Sequence, residues 1–185
     1  NIAQVPRGNN VQELMANTQA YQSRLIQFAA ENYRRQRYAP VSAIFQFMFV
    51  ENWPSINWGV VDYWRQPKPG YEALRTAFQP VLPSLQWVKE QYSSGETVVI
   101  GLWAINDLWQ AYPQATYKIR LLRDGQSVDD RDWQLDMAAD SGKKLEDYRL
   151  EQAKPGQYEL QAELLDNQGK RLGSNRFRFS VSAGQ

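Results

Sequence analysis

From about residue 86 to the end, apolar and polar residues alternate between short turn signals. Tyr158, Leu160, Ala162 and Leu164 alternate with polar neighbours, and Phe177, Phe179 and Val181 do the same. A period of two puts one set of side chains on each face of a strand, so this pattern demands sheets with one buried and one wet face. Strands are expected at 86–92, 96–105, 115–123, 126–135, 145–152, 156–165 and 171–182. Asp124-Gly125 is a two-residue hairpin signal, and Asn167-Gln168-Gly169 marks a second hairpin. About a hundred residues of this kind suit an immunoglobulin-like antiparallel β-sandwich.

The preceding 85 residues have a different rhythm. Val11, Leu14, Met15, Thr18, Tyr21, Leu25 and Phe28 recur at spacings of three and four. This predicts a helix over about 10–37, capped by Asn9 or Asn10, with a break near Ala16–Thr18 and a stop at Pro40. Arg34, Arg35 and Arg37 suit a helix C-terminus, where cations meet the macrodipole, and are read as a solvated helix end. Residues 43–50, Ala-Ile-Phe-Gln-Phe-Met-Phe-Val, are almost wholly apolar. Such a run predicts a strand buried on both faces, as in a parallel sheet covered by helices whose other strands lie outside this chain, the other reading being a buried helix segment. A second helix is expected over about Gly70–Phe78, with Pro80 and Pro83 as a linker. The expected fold class is α+β, with a helix–strand–helix unit over 1–85 and a β-sandwich over 86–185.

The composition removes whole classes of chemistry. The chain has no His and no Cys among its 185 residues. Disulfides, thiolate nucleophiles, imidazole bases and Cys- or His-type metal sites are therefore excluded. Neither a metal nor a cofactor is expected. The net charge of +1 provides no field for nucleic acid, and no apolar run is long enough to span a membrane. The start, Asn1-Ile2-Ala3-Gln4, lacks an initiator Met and a signal-peptide pattern, so the chain is expected to begin inside a longer polypeptide. The absence of Cys suits cytoplasm and periplasm alike.

The most unusual stretch is Glu51-Asn52-Trp53-Pro54-Ser55-Ile56-Asn57-Trp58, directly after the apolar run. In an α/β barrel, the loop after a strand is where sites sit. Here a carboxylate, an amide and two indoles fall within eight residues. Indole faces stack on sugar rings, while carboxylate and amide groups hydrogen-bond to hydroxyls. Glu51, Asn52, Trp53 and Trp58 are thus the candidate substrate-binding residues. The competing reading of Glu51 is a carboxylate that holds the loop, and that of the two Trp is packing against a helix. Asp62 reads as an anchor for the turn into the next helix rather than as a catalytic partner of Glu51. Asp129, Asp130, Asp132, Asp136 and Asp140 lack the spacing of a calcium loop and read as a solvated strand face.

These residues carry a resemblance. Phe47–Val50, Glu51, Trp53-Pro54-Ser55-Ile56, Trp58, Val61-Asp62-Tyr63, Pro67-Lys68, Tyr71 and Ala73-Leu74 resemble the end of the catalytic barrel of glycoside hydrolase family 2, in its β-mannosidase-like branch. Gly95-Glu96-Thr97-Val98 and Ala104–Trp109 are similar to sandwich domains of that family. The branch commonly shows Trp-Gln-Leu-Asn-Asp before its Trp-Pro; here Phe47 stands at that Trp, Val50 at the Asn and Glu51 at the Asp.

The resemblance implies a retaining β-glycosidase, whose two catalytic carboxylates come from the fourth and seventh barrel strands. Both would lie upstream, leaving no catalytic residue in this chain. What remains would be the last helix–strand–helix unit of a (β/α)8 barrel, closing the barrel and walling the active-site mouth, followed by the sandwich. The implied partners are the remainder of the parent chain and a carbohydrate substrate. A barrel strand without its neighbours would expose Phe45, Phe47 and Phe49, so self-association, or folding of the first unit back onto the sandwich, is expected. The alternative from the residues alone is a non-catalytic carbohydrate-binding or structural accessory module.

Overall fold

A computed structural model describes residues 5–184; the start at Asn1–Gln4 lies outside the described residues. Two helices and eight strands follow in order: α1 (Val11–Arg35), α2 (Pro69–Ala77), β1 (Val81–Gln86), β2 (Gln91–Ser93), β3 (Val98–Asn106), β4 (Tyr112–Arg123), β5 (Gln126–Met137), β6 (Ser141–Leu150), β7 (Gly156–Leu165) and β8 (Arg171–Ser182). The chain is thus α+β and mostly strand. It divides into two compact units, one ending at Phe78 and the other starting at Gln79.

In the first unit, α1 begins where the sequence places it. The Asn10 side chain accepts from Glu13 N at 2.9 Å, satisfying one of the helix's open amides. The helix then runs through Ala16–Thr18 without the expected break. Its burial is inverted relative to its pattern. Val11, Met15 and Leu25 are exposed, whereas Ala30, Glu31 and Arg34 are buried. Arg34 and Arg35 are not a solvated end. Arg34 Nη1 donates to the carbonyl of Ala77 at the end of α2, and Arg35 lies 3.7 Å from Glu31 with both side chains buried. Burial pulls the Arg35 pKa down, and Glu31 partly offsets this. The C-terminal carbonyls of a helix need donors, and here an arginine from a neighbouring helix supplies one.

Residues 43–50 correct the expectation of a doubly buried strand. They make no ladder; their only pairing is a bridge from Val50 to Val61. Burial nevertheless alternates. Ile44, Gln46, Met48 and Val50 are half-buried, while Phe45, Phe47 and Phe49 are exposed at 91%, 67% and 47%. One face of the segment rests on its own unit and the other presents three phenylalanines outward. Met48 has φ +55°, which interrupts the extended backbone. The run is apolar enough for a covered strand, but among the described residues the unit has no second strand to pair with it.

The second unit is a β-sandwich. One sheet has the order β1-β3-β6 and the other β2-β8-β7-β4-β5; all neighbours are antiparallel except β2 and β8. Val81–Gln86, expected as a linker, is a strand paired along its length with Gly101–Asn106. Pro83 is tolerated because β1 is an edge strand. The expected strand 86–92 is instead the end of β1, a connection and the short β2.

Ile100, Leu102, Tyr117, Leu121, Leu160 and Leu164 from both sheets fill one core. Within it Trp87, Phe177, Phe179 and Tyr158 stack in sequence, with centroids 4.9, 5.6 and 4.8 Å apart. Both expected hairpins form. Asp124 and Gly125 take φ +51° and +83°, the left-handed pair that a two-residue turn requires. At Gly173, a Cβ would stand 2.0 Å from the Val81 carbonyl oxygen, so β8 passes β1 at a distance only glycine permits.

Candidate functional site

The segment from Glu51 to Lys68 is held by few but well-placed bonds. Glu51 N donates to Val61 O at 3.0 Å, Val61 N to Phe49 O at 3.0 Å, and Lys68 N to Val60 O at 2.9 Å. These tie the end of the apolar run, the Val60–Val61 pair and the start of α2 into one small knot. From α1, Gln22 Nε2 donates to the Trp58 carbonyl at 3.0 Å, and Ser23 Oγ donates to Pro69 O at 3.2 Å. The loop between Glu51 and Gly59 is thereby anchored at both ends while its middle stays in solvent.

Glu51, expected at the mouth of the site, is 2% exposed. Its Oε1 accepts from Lys68 Nζ at 2.6 Å, and the same ammonium lies 3.5 Å from the Asn57 carbonyl. Oε2 is also buried and has no hydrogen-bond partner. Gly59 closes over the carboxylate: a Cβ there would stand 2.9 Å from Oε1. A buried carboxylate needs a counter-charge, and Lys68 provides it. The arrangement is that of a carboxylate holding the loop from below.

The remaining candidates face outward. Trp53 is 58% exposed and Trp58 67%, and Asn52 is exposed as well. Trp58 rests against Phe47 with ring centroids 5.9 Å apart and planes tilted by 50°. The loop thus presents two indoles and an amide to solvent over a buried ion pair. Tyr63 and Trp64 form a further exposed edge-on pair at 5.6 Å.

Asp62 does not meet Glu51 as a pair. Its Oδ1 accepts from Gln66 N at 2.8 Å, and its backbone N–H donates to Gln66 O at 2.9 Å, closing the Asp62–Gln66 turn. The aspartates of β5 are likewise occupied separately: Asp130 by Arg120 and Ser127, Asp129 by Arg131 and the Tyr148 hydroxyl, Asp136 by Gln114 N. Hydrogen bonds from Ser127 and Arg120 hold the Asp130 pKa below its usual value. Among the described residues no cluster of three or more Asp or Glu is placed to hold a metal ion.

Sequence reasoning missed Lys68 as the partner of Glu51, seventeen residues away. The one signal was its place between Pro67 and Pro69, which holds the backbone extended before the helix.

Comparison with known proteins places the sandwich. Residues 99–181 match the family model of the Mannosidase Ig/CBM-like domain. A β-mannosidase B of Aspergillus clavatus is 27% identical over 114 residues, covering 57% of this chain and 13% of the relative. The corresponding protein of Aspergillus niger is 28% identical over 100 residues, covering 49% and 12%. The chain therefore spans about an eighth of the length of the curated relatives it matches.

Two solved structures share its fold over nearly all its length. One is an exo-chitosanase of Amycolatopsis orientalis, with TM-score 0.74, 18% identity, and coverage of 94% of this chain and 20% of that one. The other is a β-D-mannosidase of Dictyoglomus thermophilum, with TM-score 0.69, 16% identity, and coverage of 97% and 21%. The sandwich thus matches the Mannosidase Ig/CBM-like domain over residues 99–181, and the chain is similar in sequence to β-mannosidases over about half of its length.

Proposed function

We propose that this chain is the C-terminal part of a retaining β-glycosidase, with the residues up to Phe78 as the last helix–strand–helix unit of its catalytic barrel. The observation that carries the reading is the extent of the fold likeness. It covers 94% of the chain, well beyond the sandwich, in an enzyme whose chain is about five times longer. The first unit supports it. Phe45, Phe47 and Phe49 are exposed on alternate residues of a segment that forms no ladder beyond its bridge to Val61, and α1 exposes Val11, Met15 and Leu25. Both are surfaces that further barrel strands and helices would cover.

In this reading the chain has no hydrolytic activity alone. The parent's two carboxylates, acid/base and nucleophile, lie upstream. Asn52, Trp53 and Trp58 line the active-site mouth and contact the carbohydrate, and Glu51 sets that surface through Lys68. The remainder of the parent chain is the partner of the first unit.

The test begins with the size of the native protein in its source cells, by immunoblot with antibody raised to this chain. A band far above 21.5 kDa is expected. The full polypeptide is then assayed on aryl β-glycosides, where Trp53→Ala and Trp58→Ala should lower kcat/KM. A band at 21.5 kDa would remove the catalytic inheritance and leave a carbohydrate-binding or structural module.

A further inference from the structure

The geometry points to a second carbohydrate-binding site, on the outer face of the sandwich and distinct from the tryptophan loop. A cleft of about 550 Å³ lies over β4 and β5, walled by the β7–β8 turn at Asn167. That volume suits a small ligand. Its floor is built by alternation. Ala115, Tyr117 and Ile119 point into the core, so Gln114, Thr116 and Lys118 of β4 point out, beside Asp132 and Gln134 of β5.

The cross-strand pairs along this face behave differently from one another. Thr116 and Gln134 are register partners joined by a hydrogen bond of 2.9 Å. Arg120 and Asp130 are partners joined by an ion pair of 2.8 Å. Lys118 and Asp132 lie between them, also directly opposite, and form no ion pair. Opposite charges facing each other across a strand pair ordinarily interact. Here both stay open, and the cleft lies over them.

Two further features shape the cleft. Gln114 adopts φ +52° at an irregularity of the β4–β5 ladder, with its N–H held by Asp136 Oδ1 at 2.8 Å. Bulges and left-handed non-glycine residues commonly re-aim a side chain at a binding site. The opposite wall is also fixed, because Asp166 Oδ1 accepts from both Gln168 N and Lys170 N at 2.9 Å.

The chemistry of the lining selects the ligand class. Three amides, a hydroxyl, an ammonium and two carboxylates offer donors and acceptors together. Lys118 offsets Asp132, and Asp166 turns one carboxylate oxygen onto the amides of Gln168 and Lys170, so the lining has no net positive charge to attract an anion. A neutral polyol with adjacent hydroxyls matches it: one hydroxyl accepts from Lys118 while its neighbour donates to Asp132. The cleft contains no aromatic stacking face, so binding is weak, in the millimolar range. This inference does not depend on the catalytic reading of the first unit.

The test is amide chemical-shift mapping of the full chain, titrated with β-linked mannotriose, cellotriose and chitotriose. Saturable shifts at Thr116, Lys118, Asp132 and Gln134 are expected with at least one of the three. Lys118→Ala and Asp132→Ala should each weaken that binding at least tenfold with unchanged thermal stability, while Arg120→Ala and Trp53→Ala should leave it intact. Absence of shifts at these amides with all three sugars would overturn the inference, as would undiminished binding by the two cleft variants. Shifts confined to Trp53 and Trp58 would support the loop reading and overturn this one.

Discussion

Replacing Lys68 by Met should loosen the whole segment from Phe49 to Lys68. The side chain of Glu51 is 2% exposed and that of Lys68 12%, with 2.6 Å between their charged atoms. Removing one partner of a buried pair leaves an uncompensated charge and costs about 3–5 kcal/mol. Lys68 is partly open to water, which lowers the expected figure to about 3 kcal/mol, or roughly a hundredfold in an opening equilibrium. The readout is hydrogen exchange at the amides of Glu51, Val60, Val61 and Lys68, all bonded within the knot. Each should exchange about a hundredfold faster, with the sandwich amides unchanged. The double variant Glu51→Leu/Lys68→Met removes both charges and should recover most of the loss, because an apolar pair of similar volume often replaces a buried ion pair at little cost. Exchange within about threefold of the parent in Lys68→Met would refute the argument, as would a double variant no better than the single one.

Other expectations are simpler. Gly173→Ala forces a Cβ to within 2.0 Å of the Val81 carbonyl and should cost at least about 2 kcal/mol in urea unfolding of the sandwich. Trp53→Ala removes an exposed side chain and should change stability by no more than about 0.5 kcal/mol, so any loss of carbohydrate contact can be read separately, whereas Trp58→Ala also loses the ring contact with Phe47 and should cost about 1 kcal/mol. Burial, then the hydrogen bond to Asp129, raises the Tyr148 pKa well above its ordinary value. The unfolded chain therefore loses that proton first as pH rises. The contribution is complete below about pH 10 and declines above it, so Tyr148→Phe should flatten the alkaline fall in stability.

Much of the sandwich was legible because its rules are local. Alternation marks which face of a strand is buried, and Asp124-Gly125 and Asn167–Gly169 fall at turns that need left-handed backbone. Six of the seven expected strands are there, and the seventh divides between the end of β1 and β2. β1 itself was obscured by Pro80 and Pro83, which read as a linker. Only its edge position lets Pro83 sit in a ladder.

The first unit shows the opposite case. Asn10 and the helical spacing place α1, and the Trp53–Trp58 loop stands out by composition alone. Which of its residues meet solvent was not visible. Glu51 and the tryptophans looked alike as ligand groups, yet Glu51 turns down onto Lys68 while Trp53 and Trp58 stay outside. Arg34 and Arg35 likewise looked like a solvated end and are buried against Ala77 and Glu31.

Spacing along the chain determines periodicity, caps and turns, because these are interactions between near neighbours. The pairing of Lys68 with Glu51, the closure of Gly59 over the carboxylate, and the open pair Lys118 and Asp132 arise between residues beyond the reach of a helical turn or a strand's alternation. Those relations depend on how the backbone returns on itself, and only the tertiary structure decides them.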